Sequence, residues 1–105
     1  MTPGYDPTPF RATVMRRRGA ATVRLAGELD YATTGELSAA VAEALVDKPA
    51  LIVVEAHDLE FADVAGLRPI FELASEASPV SVKVRGARPL IVRLLCLLDL
   101  ADLLD

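Results

Sequence analysis

Apolar and polar positions along this chain follow two rhythms, and one stretch follows neither. Leu51, Ile52, Val53 and Val54 are consecutive apolar residues, three of them β-branched, which predicts a central strand covered on both faces and parallel to its neighbours. Upstream, residues 10–15 and 22–26 read as two strands. The short link between them, Arg16, Arg17, Arg18 and Gly19, predicts an antiparallel hairpin. Thr33 followed by Glu36 reads as a capping box that opens a helix; Leu37, Val41, Ala44 and Leu45 form its buried stripe, and Pro49 stops it. The chain then enters the strand at 51–54 at once, which makes a βαβ unit with a right-handed crossover.

Past that strand, a short loop over residues 58–66 leads into a second helix. Asp63 is its expected N-cap, with Leu67, Ile70, Phe71, Ala74 and Ala77 as its apolar face. Pro69 is expected in the first turn, where a missing N–H costs little, and Pro79 closes the segment. Residues 80–85 alternate apolar and polar, as a strand with one wet face should. Pro89 introduces a last helix over 90–98, and residues 99–105 add a short turn. The order is ββαβαβα, an α/β fold with a single four-stranded mixed sheet. It pairs an N-terminal antiparallel hairpin with later parallel strands. If those strands lie side by side in chain order, right-handed crossovers put the helices mainly on one face and leave the other open.

Length narrows this to one domain: 105 residues bury a single core, expected over 10–105, with the proline-rich residues 1–9 as a flexible arm. Hydrophobic residues make up 52%, yet charges are spread throughout, so the domain is expected to be globular. No apolar run approaches the roughly 18 residues of a membrane span, and the N-terminus lacks a signal peptide's apolar core. A cytoplasmic location without membrane insertion is expected. A net charge of -4 with five aromatic residues (three Phe, two Tyr) supplies neither the basic footprint nor the stacking platforms of a nucleic-acid binder. The three arginines of the hairpin tip read as solvated, and the lone cysteine, Cys96, as core filler in a leucine-rich stretch.

Candidate chemistry is sparse. There is no Gly-rich phosphate loop, nucleophile elbow or Cys pair, and Glu55, Ala56 and His57 do not supply a receiver domain's phosphoacceptor. His57 has no second histidine or cysteine near it in sequence, so no metal set is expected. Neither an enzyme nor a cofactor is expected. Ligands and partners of open α/β sheets meet the chain beyond the carboxyl ends of the strands, which here means Asp58 to Gly66, with Asp30 and Tyr31 at the same end. Asp30 reads equally as a helix-entry residue or a partner contact, Tyr31 as a half-buried aromatic or a partner contact, and Asp63 as a cap, a contact or both.

Gly27, Glu28, Leu29 and Asp30 with Thr33 and Leu37, then the strand at 51–54, Leu59, Phe61, Asp63, Gly66 and Leu67, and finally Pro89 with Arg93, Leu94 and Leu95, resemble a STAS domain of the anti-sigma factor antagonist type. The resemblance covers about residues 10–104. It implies a non-enzymatic switch that docks on an anti-sigma factor, commonly a kinase with a histidine-kinase-like ATP site. In regulated members of that family a serine directly after the loop aspartate is phosphorylated, which adds charge and bulk to the docking surface. Here Val64 occupies that position and Ala65 follows it, so the phosphorylation switch cannot operate. The resemblance implies a partner surface of Asp30, Tyr31, Asp58, Phe61, Asp63, Val64, Ala65 and Gly66. Two other roles are open to such a domain: a subunit held by the ATPase of a membrane-transport machine, as in Mla-type lipid transport, or a module of a stressosome-like assembly. The C-terminal leucines, from Leu90 to Leu104, outnumber what one helix face can bury and predict self-association or a firm partner.

Overall fold

A computed structural model describes residues 9–75 and 80–105. The expected arm, Ala77 and Pro79 therefore lie outside the described residues, except for Pro9. Strands β1 (Arg11–Arg17), β2 (Ala20–Leu29), β3 (Leu51–Ala62) and β4 (Ser81–Arg85) alternate with helices α1 (Thr34–Ala44), α2 (Val64–Ser75) and α3 (Pro89–Leu97), and a 3-10 turn, Ala101–Leu103, follows. The four strands form one sheet in the order β1-β2-β3-β4, antiparallel between β1 and β2 and parallel thereafter. This is the ββαβαβα sheet that the apolar rhythm predicts.

Burial shows why the helices gather on one side. Val23 and Leu25 of β2, Ile52 and Val54 of β3, and Val82 and Val84 of β4 are buried, and Leu37, Val41, Leu67, Ile70, Ile91 and Leu95 of the helices join the same core. The alternate residues Arg24, Lys83 and Arg85 are exposed on the open face. On that face Arg24, Glu55 and Arg85 sit in register, and Arg85 Nη1 approaches Glu55 Oε1 at 3.4 Å while its Nε donates to Asp105 at 3.2 Å. Such exposed pairs contribute little to stability.

Several boundaries differ from the sequence expectation. β2 continues to Leu29 and β3 to Ala62, so what reads as a loop from Asp58 is still strand. The reason lies in the register. Arg24 pairs with Glu55 but Ala26 with Asp58, and Gly27 pairs with Leu59 but Glu28 with Phe61, so β3 carries one extra residue at each step. Each extra residue breaks the two-residue alternation. Ala56, Leu59 and Ala62 are buried at every third position, and the pairs between them face outward.

Around α1 the predicted box of Thr33 and Glu36 does not form, since Thr33 makes no side-chain cap bond to the helix. The reciprocal pair sits one turn earlier: Asp30 Oδ1 accepts the Thr33 N–H at 3.1 Å, and Thr33 Oγ1 accepts the Asp30 N–H at 2.9 Å. Pro69 is the sixth residue of α2, past the first turn, and so leaves the Ala65 carbonyl without its helical donor. Leu73, absent from the predicted face, is buried, whereas Phe71 and Ala74 are half-buried. Cys96 is exposed rather than core, because α3 turns Ile91 and Leu95 inward and carries position 96 around to solvent.

Candidate functional site

The carboxyl ends of β2 and β3 finish side by side, with Leu29 opposite Ala62, and the chain turns there into α1 and α2. Asp63 fixes the second turn. Its N–H donates to the Leu29 carbonyl at 3.2 Å, its Oδ1 accepts the Gly66 N–H at 2.7 Å, and its carbonyl accepts the Leu67 N–H at 3.1 Å. The aspartate is therefore the N-cap of α2, satisfying one of the helix's orphan donors.

Gly66 draws the two turns together. A Cβ on this residue would lie 2.7 Å from the Leu29 carbonyl oxygen and 2.9 Å from the Asp30 nitrogen, both backbone atoms that cannot swing aside. Only glycine lets α2 approach β2 so closely. Thr34 Oγ1 then donates to the Gly66 carbonyl at 3.0 Å, tying the start of α1 to the start of α2. Thr33 is legible in the sequence as a helix-entry residue, but Thr34 is not, because hydroxyls at a helix entry are common and its partner, the Gly66 carbonyl, is far along the chain.

This clamp presents an apolar surface. Tyr31 is 82% exposed, which leaves out the half-buried one of the two readings its sequence context allows, with Val64 at 49% and Phe61 at 41%. Phe61 faces outward because of the second register shift in β3, beside Glu28. Ala65 is half-buried and Gly66 buried, so they shape the surface from beneath. Asp30 and Asp63 are half-buried, held by the bonds described above. Asp58 stands apart. It pairs in register with Ala26, three residues before Leu29, and its Oδ1 lies 3.0 Å from His57 Nδ1. With Arg24, Glu55 and His57 it lines a cavity of about 260 Å³ on the open sheet face.

Positions 64 and 65 offer no hydroxyl to a phosphoryl donor. Among the described residues no group of His, Cys, Asp or Glu side chains is arranged to hold a metal ion. The geometry leaves Tyr31 after β2, Phe61 near the end of β3 and Val64 at the start of α2 exposed at the same end of the sheet, with Asp30 and Asp63 half-buried beside the turns.

Comparison with known proteins bears on the family and the fold. The model of a family described as "Mlab, STAS domain" matches residues 12–105. The anti-sigma-F factor antagonist RsfB of Mycobacterium tuberculosis is 32% identical over 77 residues, which is 73% of this chain and 62% of that relative. The chain thus spans under two thirds of the length of the curated relative it matches. Among solved structures, an anti-sigma factor antagonist from Mycobacterium paratuberculosis superposes with a TM-score of 0.79 at 21% identity, over 92% of this chain and 84% of that one. The anti-sigma factor antagonist SpoIIAA in its unphosphorylated form gives a TM-score of 0.67 at 20% identity, over 92% and 86%. At these identities the two structures speak for the shared fold. Among the described residues no helix is long and apolar enough to cross a membrane.

Proposed function

The chain belongs to the STAS domain family, and from that premise we propose that it is a protein-binding regulator of the anti-sigma factor antagonist kind, docking on a kinase-like anti-sigma factor through Tyr31, Phe61 and Val64. It has no catalytic role of its own. The observation that carries this reading is the exposure of those three large apolar side chains at one end of the sheet, Tyr31 after β2, Phe61 near the end of β3 and Val64 at the start of α2, beside the turns that Gly66 draws together. An exposed apolar cluster on a rigid support is what a partner surface requires: aromatic anchors that lose water on binding and little entropy in being held.

Val64 gives the surface its regulatory character. A side chain without a hydroxyl at the first position of α2 leaves that residue nothing to phosphorylate, so the apolar patch stays competent at all times. Control then lies in the abundance of the chain or in its partner.

The family description that names Mlab supports one second reading, a subunit held by the ATPase of a lipid-transport machine. Affinity capture of the tagged chain from its own cells, at moderate salt, separates the two. Retention of a histidine-kinase-like anti-sigma factor by the wild type, and its loss with Tyr31→Ala/Phe61→Ala, supports the antagonist reading. Retention of a transport ATPase moves the chain to the second class. A partner retained equally by the double variant contradicts the proposed surface in either class.

A further inference from the structure

We propose that the outer edge of β1 takes up an extended, acidic segment of a partner protein as a fifth strand of the sheet. The two edges of the sheet differ. β4 is covered by the chain's own end: Leu104 bridges to Val84, and the Asp105 N–H donates to the Val84 carbonyl at 3.0 Å. β1, the other edge, pairs only with β2 among the described residues. In such an edge strand every second residue points its N–H and C=O outward, which is a template for another strand. The core is open along the same line, since Ala12 and Val14 pack against it yet stay half-buried.

Charge states what the added strand must carry. Side chains alternate across β1, so Arg11, Thr13, Met15 and Arg17 share the open face of the sheet, while Ala12 and Val14 face the helices. All four on the open face are exposed. Arg11 and Arg17 make no ion pair among the described residues, and neither does Arg24, which lies opposite Thr13 on β2. Glu55, next in register on β3, pairs instead with Arg85.

A second copy is the wrong occupant. Two β1 strands paired antiparallel about Val14 set Arg11 opposite Arg17 twice, and like charges directly opposite destabilise a ladder. An anionic lipid surface fits less well than a narrow segment, because it extends beyond the edge to exposed Asp58 on the same face and meets a chain of net charge -4. A strand with carboxylates opposite Arg11 and Arg17 and apolar side chains opposite Ala12 and Val14 turns the arginines into attractions and extends the cover of the core. Tyr31, Phe61 and Val64 belong to the β2–α1 turn, β3 and α2, so this edge is a separate contact.

The probe is a capped peptide as long as β1, Glu-Val-Thr-Val-Thr-Val-Glu, whose palindromic order presents the same residues in either strand direction. Titrated to about 1 mM, the weak end of protein recognition, it should shift the amide resonances of Ala12 to Arg16 saturably. The counterpart Lys-Val-Thr-Val-Thr-Val-Lys should bind about tenfold or more weakly. Arg11→Glu/Arg17→Glu should reverse that preference with circular dichroism unchanged, since both positions are exposed. N-methylation separates strand pairing from charge attraction, because alternate amides of a strand point to one edge. Methylating the amides of one edge of the acidic peptide should abolish binding, and methylating those of the other should leave it. Two methylated peptides that behave alike would overturn strand addition, as would a preference that the double variant does not reverse. A parent peptide that does not bind would also overturn it; dimerisation of the chain, or its sedimentation with phosphatidylglycerol vesicles, would then give the edge to a second copy or to a lipid surface.

Discussion

Gly66 and Val64 divide the work of the α2 turn between them. Gly66 is structural: Gly66→Ala forces a methyl group against the Leu29 carbonyl, and the expected cost is about 1–3 kcal/mol in urea unfolding, as for other overpacked sites. Unchanged stability would mean that α2 can step away from β2 without loss. On the proposed reading, Val64 stands where a regulated relative would carry a phosphorylated serine. Val64→Ser should create an acceptor at the start of α2, where a helix N-terminus tolerates the added charge. Intact-mass measurement after incubation with the cognate kinase and ATP should show the mass of one added phosphate; an unchanged mass would count against a kinase-like partner. The loop motif, its aspartate and the missing hydroxyl are all legible in the sequence. The reason for the glycine is not, because it lies in the backbone of Leu29 and Asp30, far away along the chain.

The same limit operates on whole elements. Elements with an unbroken rhythm, such as β4 with Val82 and Val84 or α1 with Leu37, Val41 and Ala44, can be read directly from spacing. β3 cannot, because its two extra residues hide a twelve-residue strand behind an apparent four-residue one, and the same irregularity turns Phe61 outward. Asp30 and Thr33 show a related effect: a capping box depends on where the helix entry turns, and the turn here begins at Asp30. α2 contains a compromise of its own in Pro69, which lines the α1–α2 cleft with Val41, Leu45 and Leu73. Pro69→Ala restores a donor to the Ala65 carbonyl and should raise stability by about 1–3 kcal/mol, judged by the cost of proline inside helices. A lower melting temperature would show that the ring's packing in that cleft outweighs the missing bond.

Across the whole molecule, charge is distributed by pole. Glu28, Asp30, Asp58, Glu60 and Asp63 lie towards the carboxyl end of the sheet and outnumber Arg11 and Arg88 there, whereas Arg16, Arg17, Arg18 and Lys48 lie at the other end, where Asp47 pairs with Arg16. A partner that approaches the Tyr31, Phe61 and Val64 surface therefore meets a negative field, and association with a basic face should slow as salt rises, by about tenfold or more between low and high ionic strength. Stopped-flow association rates that do not change with salt would show that the apolar patch alone governs the encounter. None of this polarity follows from the net charge of -4; it needs the fold to sort the residues by end.

The most direct test of the docking surface is a calorimetric titration of the captured partner with the wild-type chain and with Val64→Asp, which places a fixed charge on the exposed first residue of α2 without touching the core. The surface described here predicts tight binding by the wild type and a loss of about tenfold or more with the charged variant. Equal affinities would place the partner elsewhere on the molecule and contradict the central claim.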